Sequence, residues 1–245
     1  MKVQLLIALM ICGLVSGLPV RAQETETAAA RSEATVPEGI NEGFKDPQLN
    51  VDQWLERFEV ESREVYAARD AVLQACDIQE GEEIADVGAG TGFYSQLFAK
   101  RTGENGWVYS VDIAPKFLQH IASRATAEGI PQLTPVLGTD NAIRLPPASV
   151  DLVFVSDTYH HFEQPSQMLA SIYRALKPGG RFIVIDFERV PGVSRDWIVD
   201  HVRAGKEVFR DEIESAGFRF EDEVDIEEFE ENYLIRFVKP ADGKD

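Results

Sequence analysis

Three closely spaced glycines are the residues of this sequence that point most directly to ligand binding. Gly88, Gly90 and Gly92 follow the short apolar run 84–87, which predicts a buried strand. Glycine allows a tight turn and lets a ligand approach the backbone, because it has no side chain. The residues from Phe93 onward favour a helix, and the first turn of a helix offers free N–H groups to a polar ligand. The stretch therefore predicts a strand, a binding loop and a helix in succession.

An acidic residue follows this loop at the position expected for a nucleoside site. Residues 108–111 predict a second strand, and Asp112 ends it, about 20 residues beyond the glycines, where α/β sheets place the carboxylate that holds a ribose hydroxyl pair. The third glycine, Gly92, comes one position earlier than the dinucleotide fingerprint G-x-G-x-x-G requires. The pattern therefore indicates a nucleoside compound and disfavours a nicotinamide cofactor.

Four stretches in the order of a known family extend this interpretation. Residues 86–92 resemble the first motif, E/D-x-G-x-G-x-G, of the class I S-adenosylmethionine (SAM) methyltransferases, with Asp86 as the acid. Residues 138–146, 151–162 and 176–181 resemble three later landmarks of the same family. The resemblance covers residues 83–239 and implies SAM as the cofactor.

The resemblance also implies roles for individual residues around the cofactor. Asp86 would hold the methionine amino group, and Asp112 would hold the ribose hydroxyls. Asp140 would accept a hydrogen bond from the adenine amino group, Ile113 would pack on the adenine, and Tyr94 would touch the cofactor carboxylate. The complete predicted set of cofactor-binding residues is Asp86, Gly88, Ala89, Gly90, Gly92, Tyr94, Asp112, Ile113, Asp140, Asn141 and Ser156.

Three histidines are candidates for the chemical step. His160 and His161 follow the fourth predicted strand and His201 follows the fifth, at the sheet edge where ligands bind. Each could accept a proton from a methyl acceptor, or could instead pack against the next helix. If the chain is still extended there, adjacent side chains point in opposite directions, and we expect His160 to face the cleft. Spacing alone does not define a ligand set, so we predict no metal site.

Composition and charge limit the classes of function. The chain has 245 residues, of which 44% are hydrophobic and 27% charged, as expected for a single globular domain with an N-terminal extension. Its net charge of -18 opposes binding to nucleic acid. Its two cysteines, Cys12 and Cys76, can form neither a disulfide framework nor a cysteine-based metal site.

The chain is predicted to have four parts. Residues 1–22 have the basic start, bounded apolar run and small-residue cleavage site of a signal peptide, which predicts export to a periplasm or secretion. The protein would be cytoplasmic if this signal is not used. Residues 23–49 lack an apolar period and predict a disordered linker. Residues 50–82 predict N-terminal helices, and residues 83–240 a SAM-binding domain.

The predicted fold is a doubly wound, Rossmann-like α/β sheet of seven strands. No helix separates the last two strands, so they should form an antiparallel hairpin, and the sheet should be mostly parallel with an antiparallel last strand. The acidic stretch 225–231 between them is expected to be a solvated loop. The helices predicted at 50–58 and 61–76 would either cover the cofactor cleft, as the resemblance implies, or pack on the sheet edge.

These observations favour a SAM-dependent methyltransferase that acts on a small molecule. Two alternatives remain open: an exported SAM- or nucleoside-binding module without turnover, and an NAD-dependent oxidoreductase. The mature chain is expected to bind neither nucleic acid nor a membrane. The sequence indicates neither the methyl acceptor nor the oligomeric state.

Overall fold

The computed structural model describes residues 36–241 and contains one seven-stranded sheet. The predicted signal peptide, 1–22, and the first part of the predicted linker, 23–35, lie outside the described residues. The strands, numbered along the chain, are β1 (Glu83–Val87), β2 (Trp107–Asp112), β3 (Leu133–Leu137), β4 (Val150–Ser156), β5 (Leu176–Phe187), β6 (Arg219–Val224) and β7 (Asn232–Val238).

Helices precede the sheet and separate its consecutive strands, except between β3 and β4 and between β6 and β7. One short 3-10 helix, Tyr159–His161, follows β4. Among the described residues, 36–241, no helix is long and apolar enough to cross a bilayer. The α-helices are α1 (Glu42–Lys45), α2 (Val51–Phe58), α3 (Glu64–Ala67), α4 (Arg69–Cys76), α5 (Phe93–Thr102), α6 (Pro115–Glu128), α7 (Pro165–Ala175), α8 (Asp196–His201) and α9 (Lys206–Ser215).

The sheet has the predicted topology. Its strand order is β3-β2-β1-β4-β5-β7-β6, and every neighbouring pair is parallel except the two that β7 makes with β5 and β6. The prediction of a mostly parallel sheet with an antiparallel last strand is confirmed. The order reverses between β1 and β4, and ligands of such sheets bind beyond the carboxyl ends of the strands at this point.

The central strands are buried because their sequences are continuous apolar runs. Leu152, Val153, Phe154 and Val155 of β4 are fully buried. Strands that are covered on both faces are continuous apolar runs without the alternation of polar and apolar residues. This pattern allowed β4 to be predicted from the sequence. This rigid centre holds the loops that follow β1 and β4 in fixed positions.

The start of β5 differs from the prediction. We expected residues 177–180 to form a tight turn before the strand, but β5 already begins at Leu176. Gly179 N–H donates to the Lys239 carbonyl at 2.8 Å, and Lys239 N–H donates to the Gly180 carbonyl at 2.8 Å. Residues 177–180 therefore belong to the sheet because their backbone pairs with the residue that follows β7. The register between β5 and β4 is irregular near Val150.

The predicted disordered linker is wrong for residues 36–49. This segment contains α1, and Asn41 and Leu49 are buried. Leu49 packs with Ala114 and Phe117 of the α/β domain, which places the segment against the start of α6. A segment of four helical residues is too short to show an apolar period, so composition alone suggested disorder.

The helix predicted over residues 61–76 is divided at Ala68 into α3 and α4. The Glu64 carboxylate at the start of α3 accepts hydrogen bonds from the backbone N–H groups of Glu230, Glu231 and Asn232, at 3.0–3.1 Å. These bonds tie α3 to the start of β7. The N-terminal helices are thereby fixed across the end of the sheet.

Candidate functional site

A cavity of about 650 Å³ lies at the carboxyl ends of β1, β2 and β4. It extends from the glycine loop to the three histidines, so both groups of predicted residues share one space. The predicted site residues that do not line it are Gly92 and Asn141. Those that line it are Asp86, Gly88, Ala89, Gly90, Tyr94, Asp112, Ile113, Asp140, Ser156, His160, His161 and His201.

The glycine loop is held against its neighbours so tightly that it admits no side chain at its first glycine. Gly88 has a φ of 73°, and a Cβ atom there would lie 2.3 Å from Thr158 Cγ2. The N–H groups of Gly88 and Ala89 donate to the Val111 carbonyl of β2, at 2.8 and 3.1 Å. The loop therefore packs between β2 and the residues that follow β4, with its backbone exposed to the cavity.

Asp112 organises the loop as well as lining the cavity. Its Oδ2 accepts from Gly90 N–H and its Oδ1 from Ala114 N–H, both at 2.8 Å. Burial raises the pKa of Asp112 to about 6, although these N–H groups oppose the increase. The backbone of Ile113 also stabilises the carboxylate, and with four lone pairs in all it can still accept a hydrogen bond from a diol.

Asp86 is a buried acid with one fixed partner. Ser95 Oγ donates to its Oδ2 at 2.5 Å, and Ser110 Oγ donates to Ser95 Oγ at 2.8 Å. Burial raises the pKa of Asp86 to about 7, with a smaller increase from the charge of Asp112. A bound ammonium group would relieve this unfavourable burial, because an opposite charge stabilises the carboxylate.

Three predicted cofactor contacts have other partners. Gly92 caps α5 with a φ of 79°, and a Cβ there would lie 2.6 Å from Ile121 Cγ1, so its small size serves helix packing. The Tyr94 hydroxyl donates to the Val65 carbonyl at 2.5 Å, which ties α5 to α3. Asn141 hydrogen-bonds to the side chains of Thr139 and Gln167.

Two further polar groups mark the end of the cavity beyond β3 and β4. Lys45 Nζ of α1 lies 2.6 Å from Asp140 Oδ1, and this ion pair is partly exposed. Ser156 Oγ is buried and has no hydrogen-bond partner among the described residues. An unpaired buried hydroxyl is costly, so a polar ligand in the cavity would improve the satisfaction of this group.

Aromatic rings from the N-terminal segment and from the start of α6 form a roof over the glycine loop. We define the roof as Phe44, Trp54, Phe58 and Phe117, whose ring centroids lie 4.9–6.3 Å from one another in five contacting pairs. The Phe58 ring lies 3.3 Å from the position that a Cβ atom of Gly90 would take. Helices α1 and α2 therefore cover the cleft, one of the two arrangements that the sequence left open.

The two adjacent histidines both line the cavity, contrary to the expectation that one would face the core. The expectation assumed extended backbone, whereas residues 159–161 form a 3-10 turn. Their ring centroids lie 4.4 Å apart, and the His201 ring lies 5.1 Å from His160 and 5.2 Å from His161. His201 reaches the cavity as predicted, as the last residue of α8.

Hydrogen bonds fix the orientation of the two adjacent rings. His160 Nδ1 lies 2.7 Å from Asp186 Oδ1 of β5, and His160 N–H donates to Asp186 Oδ2 at 3.1 Å. His161 Nδ1 lies 3.1 Å from Asn41 Oδ1. Burial, together with the charges of His160 and His201, lowers the pKa of His161 to about 2. Burial and the charge of His160 lower the pKa of His201, and the charge of Asp186 opposes this decrease. His161 is therefore uncharged near neutral pH.

Asp157 is engaged in an ion pair and is not part of the histidine group. It follows β4 with a φ of 46° and accepts from Arg63 Nη2 and from Asn232 Nδ2, both at 2.8 Å. Burial raises the pKa of Asp157, and the Arg63 charge opposes the increase. This buried pair joins the N-terminal segment to the ends of β4 and β7.

Asp186, Asn41 and Phe44 were not predicted from the sequence. Asp186 had a usable signal, because it ends the apolar run 182–185 in the same way that Asp112 ends β2. Asn41 and Phe44 had none, because they precede every recognisable period and reach the site only through tertiary packing.

Comparison with known proteins identifies the region around the glycine loop. Residues 85–184 match the family model described as a methyltransferase domain. The ubiquinone/menaquinone biosynthesis C-methyltransferase UbiE of Methylococcus capsulatus is 32% identical over 114 residues, which are 46% of each chain. The enzyme of the same name from Bordetella parapertussis is 34% identical over 150 residues, 58% of this chain and 56% of the relative. The chain spans about half the length of the curated relatives it matches.

Solved structures share the fold at lower identity. A SAM-dependent methyltransferase from Aquifex aeolicus has a TM-score of 0.68 and 22% identity, with 78% of this chain and 98% of that chain covered. Phosphoethanolamine N-methyltransferase 2 of Haemonchus contortus, solved with S-adenosyl-L-methionine, has a TM-score of 0.66 and 18% identity, with 82% and 60% covered.

Proposed function

We propose that this chain, a class I SAM-dependent methyltransferase by its fold and its family match, transfers a methyl group to a small molecule held beside the three histidines. One observation carries the proposal. A single cavity joins the glycine loop and Asp112 to His160, His161 and His201. Its volume of about 650 Å³ lies within the range of small-molecule sites, roughly 300–1,000 Å³.

The residues at the glycine-loop end fit SAM. Asp86 would receive the methionine ammonium group, Asp112 the ribose hydroxyls and Asp140 the adenine amino group. The unpaired Ser156 Oγ offers a further hydrogen bond. When bound, SAM supplies an electrophilic methyl group on a sulfonium. The chain must then align the acceptor in line with that methyl group, exclude water and remove one proton.

The histidine end supports an aromatic acceptor. Phe187 and Trp197 line this part of the cavity, with ring centroids 5.0 Å apart. A flat ring could stack on them while its hydroxyl group faces the histidines. The name of the UbiE relatives is that of C-methyltransferases in quinone biosynthesis. Hydroxylated aromatic rings are therefore the first class of acceptor to test.

The test separates cofactor binding from turnover. Isothermal titration with SAM and with NAD should give binding of SAM only, and methyl transfer from labelled SAM should be detected with a panel of hydroxylated aromatic compounds. Asp112→Asn serves as the matched variant, because it keeps the shape and loses the charge. SAM binding without transfer to any acceptor would favour the alternative of a binding module. Absence of SAM binding would overturn the proposal.

A further inference from the structure

Three of the four histidines in this sequence meet at one place. One ring nitrogen of each of His160, His161 and His201 lies within 4.8 Å of those of the other two. The residues come from the turn after β4 and from the end of α8, so the tertiary fold assembles them. The fourth, His120, lies on α6 and does not line the cavity.

The partner of His160 determines which nitrogen is free. The Asp186 carboxylate is fully buried and lies 2.7 Å from His160 Nδ1, so Nδ1 carries a proton and donates. The Nε2 atom is then left with a free lone pair. A carboxylate behind a histidine is the arrangement that orients metal-binding imidazoles and raises their basicity.

The partner of His161 gives the same result by a different route. Asn41 Nδ2 donates to the His161 carbonyl at 3.0 Å and to Glu163 Oε1 at 2.9 Å, which fixes the orientation of the amide. Asn41 Oδ1 therefore faces His161 Nδ1 at 3.1 Å, and Nδ1 must be the protonated nitrogen. His161 also presents Nε2 as a free lone pair. The His201 ring has only ring contacts within residues 36–241.

We propose that His160, His161 and His201 bind one divalent transition-metal ion, preferably Zn²⁺, and leave a coordination position open toward the cavity. Zinc accepts three imidazole nitrogens at about 2.0–2.1 Å, so small ring rotations would bring all three onto one ion. The nearby Asp186 carboxylate balances part of its charge, whereas Asp157 is already paired with Arg63. Three protein ligands with one open position are typical of catalytic zinc sites.

The open position defines the class of ligand that the ion would take. An oxygen donor, such as the hydroxyl group of an aromatic acceptor, would complete the coordination and be held beside the methyl-donating end of the cavity. This statement about the acceptor rests on the proposed function. The metal site itself does not, because it depends only on the three rings and their two hydrogen-bond partners.

The test uses the full chain without a histidine tag, freed of metal with a chelator. Titration with Co²⁺, followed by its visible absorption, and calorimetric titration with Zn²⁺ should each show one equivalent bound. His201→Ala is the main variant, because His201 is only half-buried and its loss should leave the fold intact. We expect it to weaken binding by at least tenfold, and His161→Ala to act similarly. His120→Ala is the matched control and should bind as the unchanged chain does.

A further variant examines the hydrogen-bond partner of His161. Asn41→Ala removes no metal ligand, and it should weaken metal binding about 10-fold, in the lower part of the roughly 10–100-fold range for such partners. If the unchanged chain binds no equivalent of ion, or if His201→Ala binds it equally well, the metal site is wrong. SAM binding to the metal-free chain is measured in parallel. Its loss would count against the proposed function, and its persistence without metal binding would reject the metal site alone.

Discussion

The two ends of the cavity are built in different ways. The glycine-loop end comes from β1, β2 and the loop between β1 and α5, so its residues are close in sequence and their spacing was informative. The histidine end combines Asn41, the 3-10 turn after β4, Asp186 and α8, which are distant in sequence. Spacing therefore predicted the residues of the glycine-loop end. At the histidine end the sequence placed the three histidines at the sheet edge, but it did not predict their partners Asn41 and Asp186.

The two ends also differ in charge. Asp86 and Asp112 place two acids at the glycine-loop end, and burial raises the pKa of both. The rings of His161 and His201 have lowered pKa values at the other end. One end is therefore suited to the positive and hydrogen-bonding groups of the cofactor, and the other to a neutral or metal-bound acceptor. Changes at one end should alter binding, and changes at the other should alter turnover.

The largest expected effect follows from a side chain on the glycine loop. In Gly90→Val, the new side chain would enter the cavity against Phe58, at a φ of 53°. We expect SAM binding to be abolished, since both space and backbone geometry are lost. Calorimetric titration measures this. Gly129→Val is the control, because it places the same β-branched side chain at a φ of 66° in open space. Normal SAM binding by Gly90→Val would show that the loop is only a turn and does not contact the cofactor.

The next effect should fall on turnover alone. In the metal-free chain, where His160 Nε2 keeps its lone pair, His160→Gln breaks the contact with Asp186 and is expected to lower methyl transfer about 10²–10⁴-fold, the range for a lost proton acceptor. SAM affinity should stay within about twofold, because the glycine loop is unchanged. The melting temperature of the variant is measured as well, because a histidine with only a packing role would lower it when replaced. A variant that transfers methyl groups at the full rate would remove His160 from the chemical step.

A smaller effect is expected from Asp112, the carboxylate proposed to hold the ribose. Asp112→Ala should weaken SAM binding by about 1.5–3 kcal/mol, the range for a hydrogen bond to a charged group. Turnover at saturating SAM should change little, in contrast to the histidine variant. Titration with SAM and single-turnover measurements distinguish the two. An unchanged dissociation constant would show that Asp112 only supports the loop.

Acidification should weaken SAM binding through Asp86. The pKa of Asp86 is raised to about 7, so the carboxylate that would pair with an ammonium group becomes protonated below this pH. Affinity should therefore fall about tenfold between pH 8 and pH 6. The stability of the unliganded fold depends on pH in the opposite direction. A raised carboxyl pKa contributes stability that is present at low pH and is lost as the pH rises through about 7.

Asp86→Asn is the control for this pH dependence. It should bind SAM weakly at every pH and show a flatter profile than the unchanged chain. The comparison is made by titration across the same pH range. An equally steep profile in the variant would assign the dependence to another group, such as Asp112.

The smallest effect is expected from the ion pair between Lys45 and Asp140, at the position proposed for the adenine. Lys45→Ala removes the partner of Asp140, and both side chains are partly exposed. Such pairs contribute about 0.2–1 kcal/mol, so the melting temperature should change little and SAM affinity by less than about fivefold. A larger loss of affinity would mean that Lys45 itself contacts the cofactor.

The sequence predicted the role of a residue correctly where that role depended only on the strand in which the residue lies. The burial of β4 and the position of Asp112 followed from apolar runs and their ends. It was uninformative where the role depended on a distant partner. Gly92 leaves room for the side chain of Ile121, and the hydroxyl of Tyr94 donates to the Val65 carbonyl. Neither role could be inferred from the position of these residues in the motif. A motif identifies positions, but only packing determines which of them remain available to a ligand.

The roof has a consequence for the kinetics of ligand exchange. Phe58 lies directly over Gly90, and Lys45 and Asn41 of the same segment contact Asp140 and His161. We therefore predict that a molecule entering or leaving the glycine loop requires this segment to lift. The observed association rate should level off as ligand concentration rises, because opening then becomes the slow step. The departure of spent cofactor through the same passage would set an upper limit on the number of cycles per second.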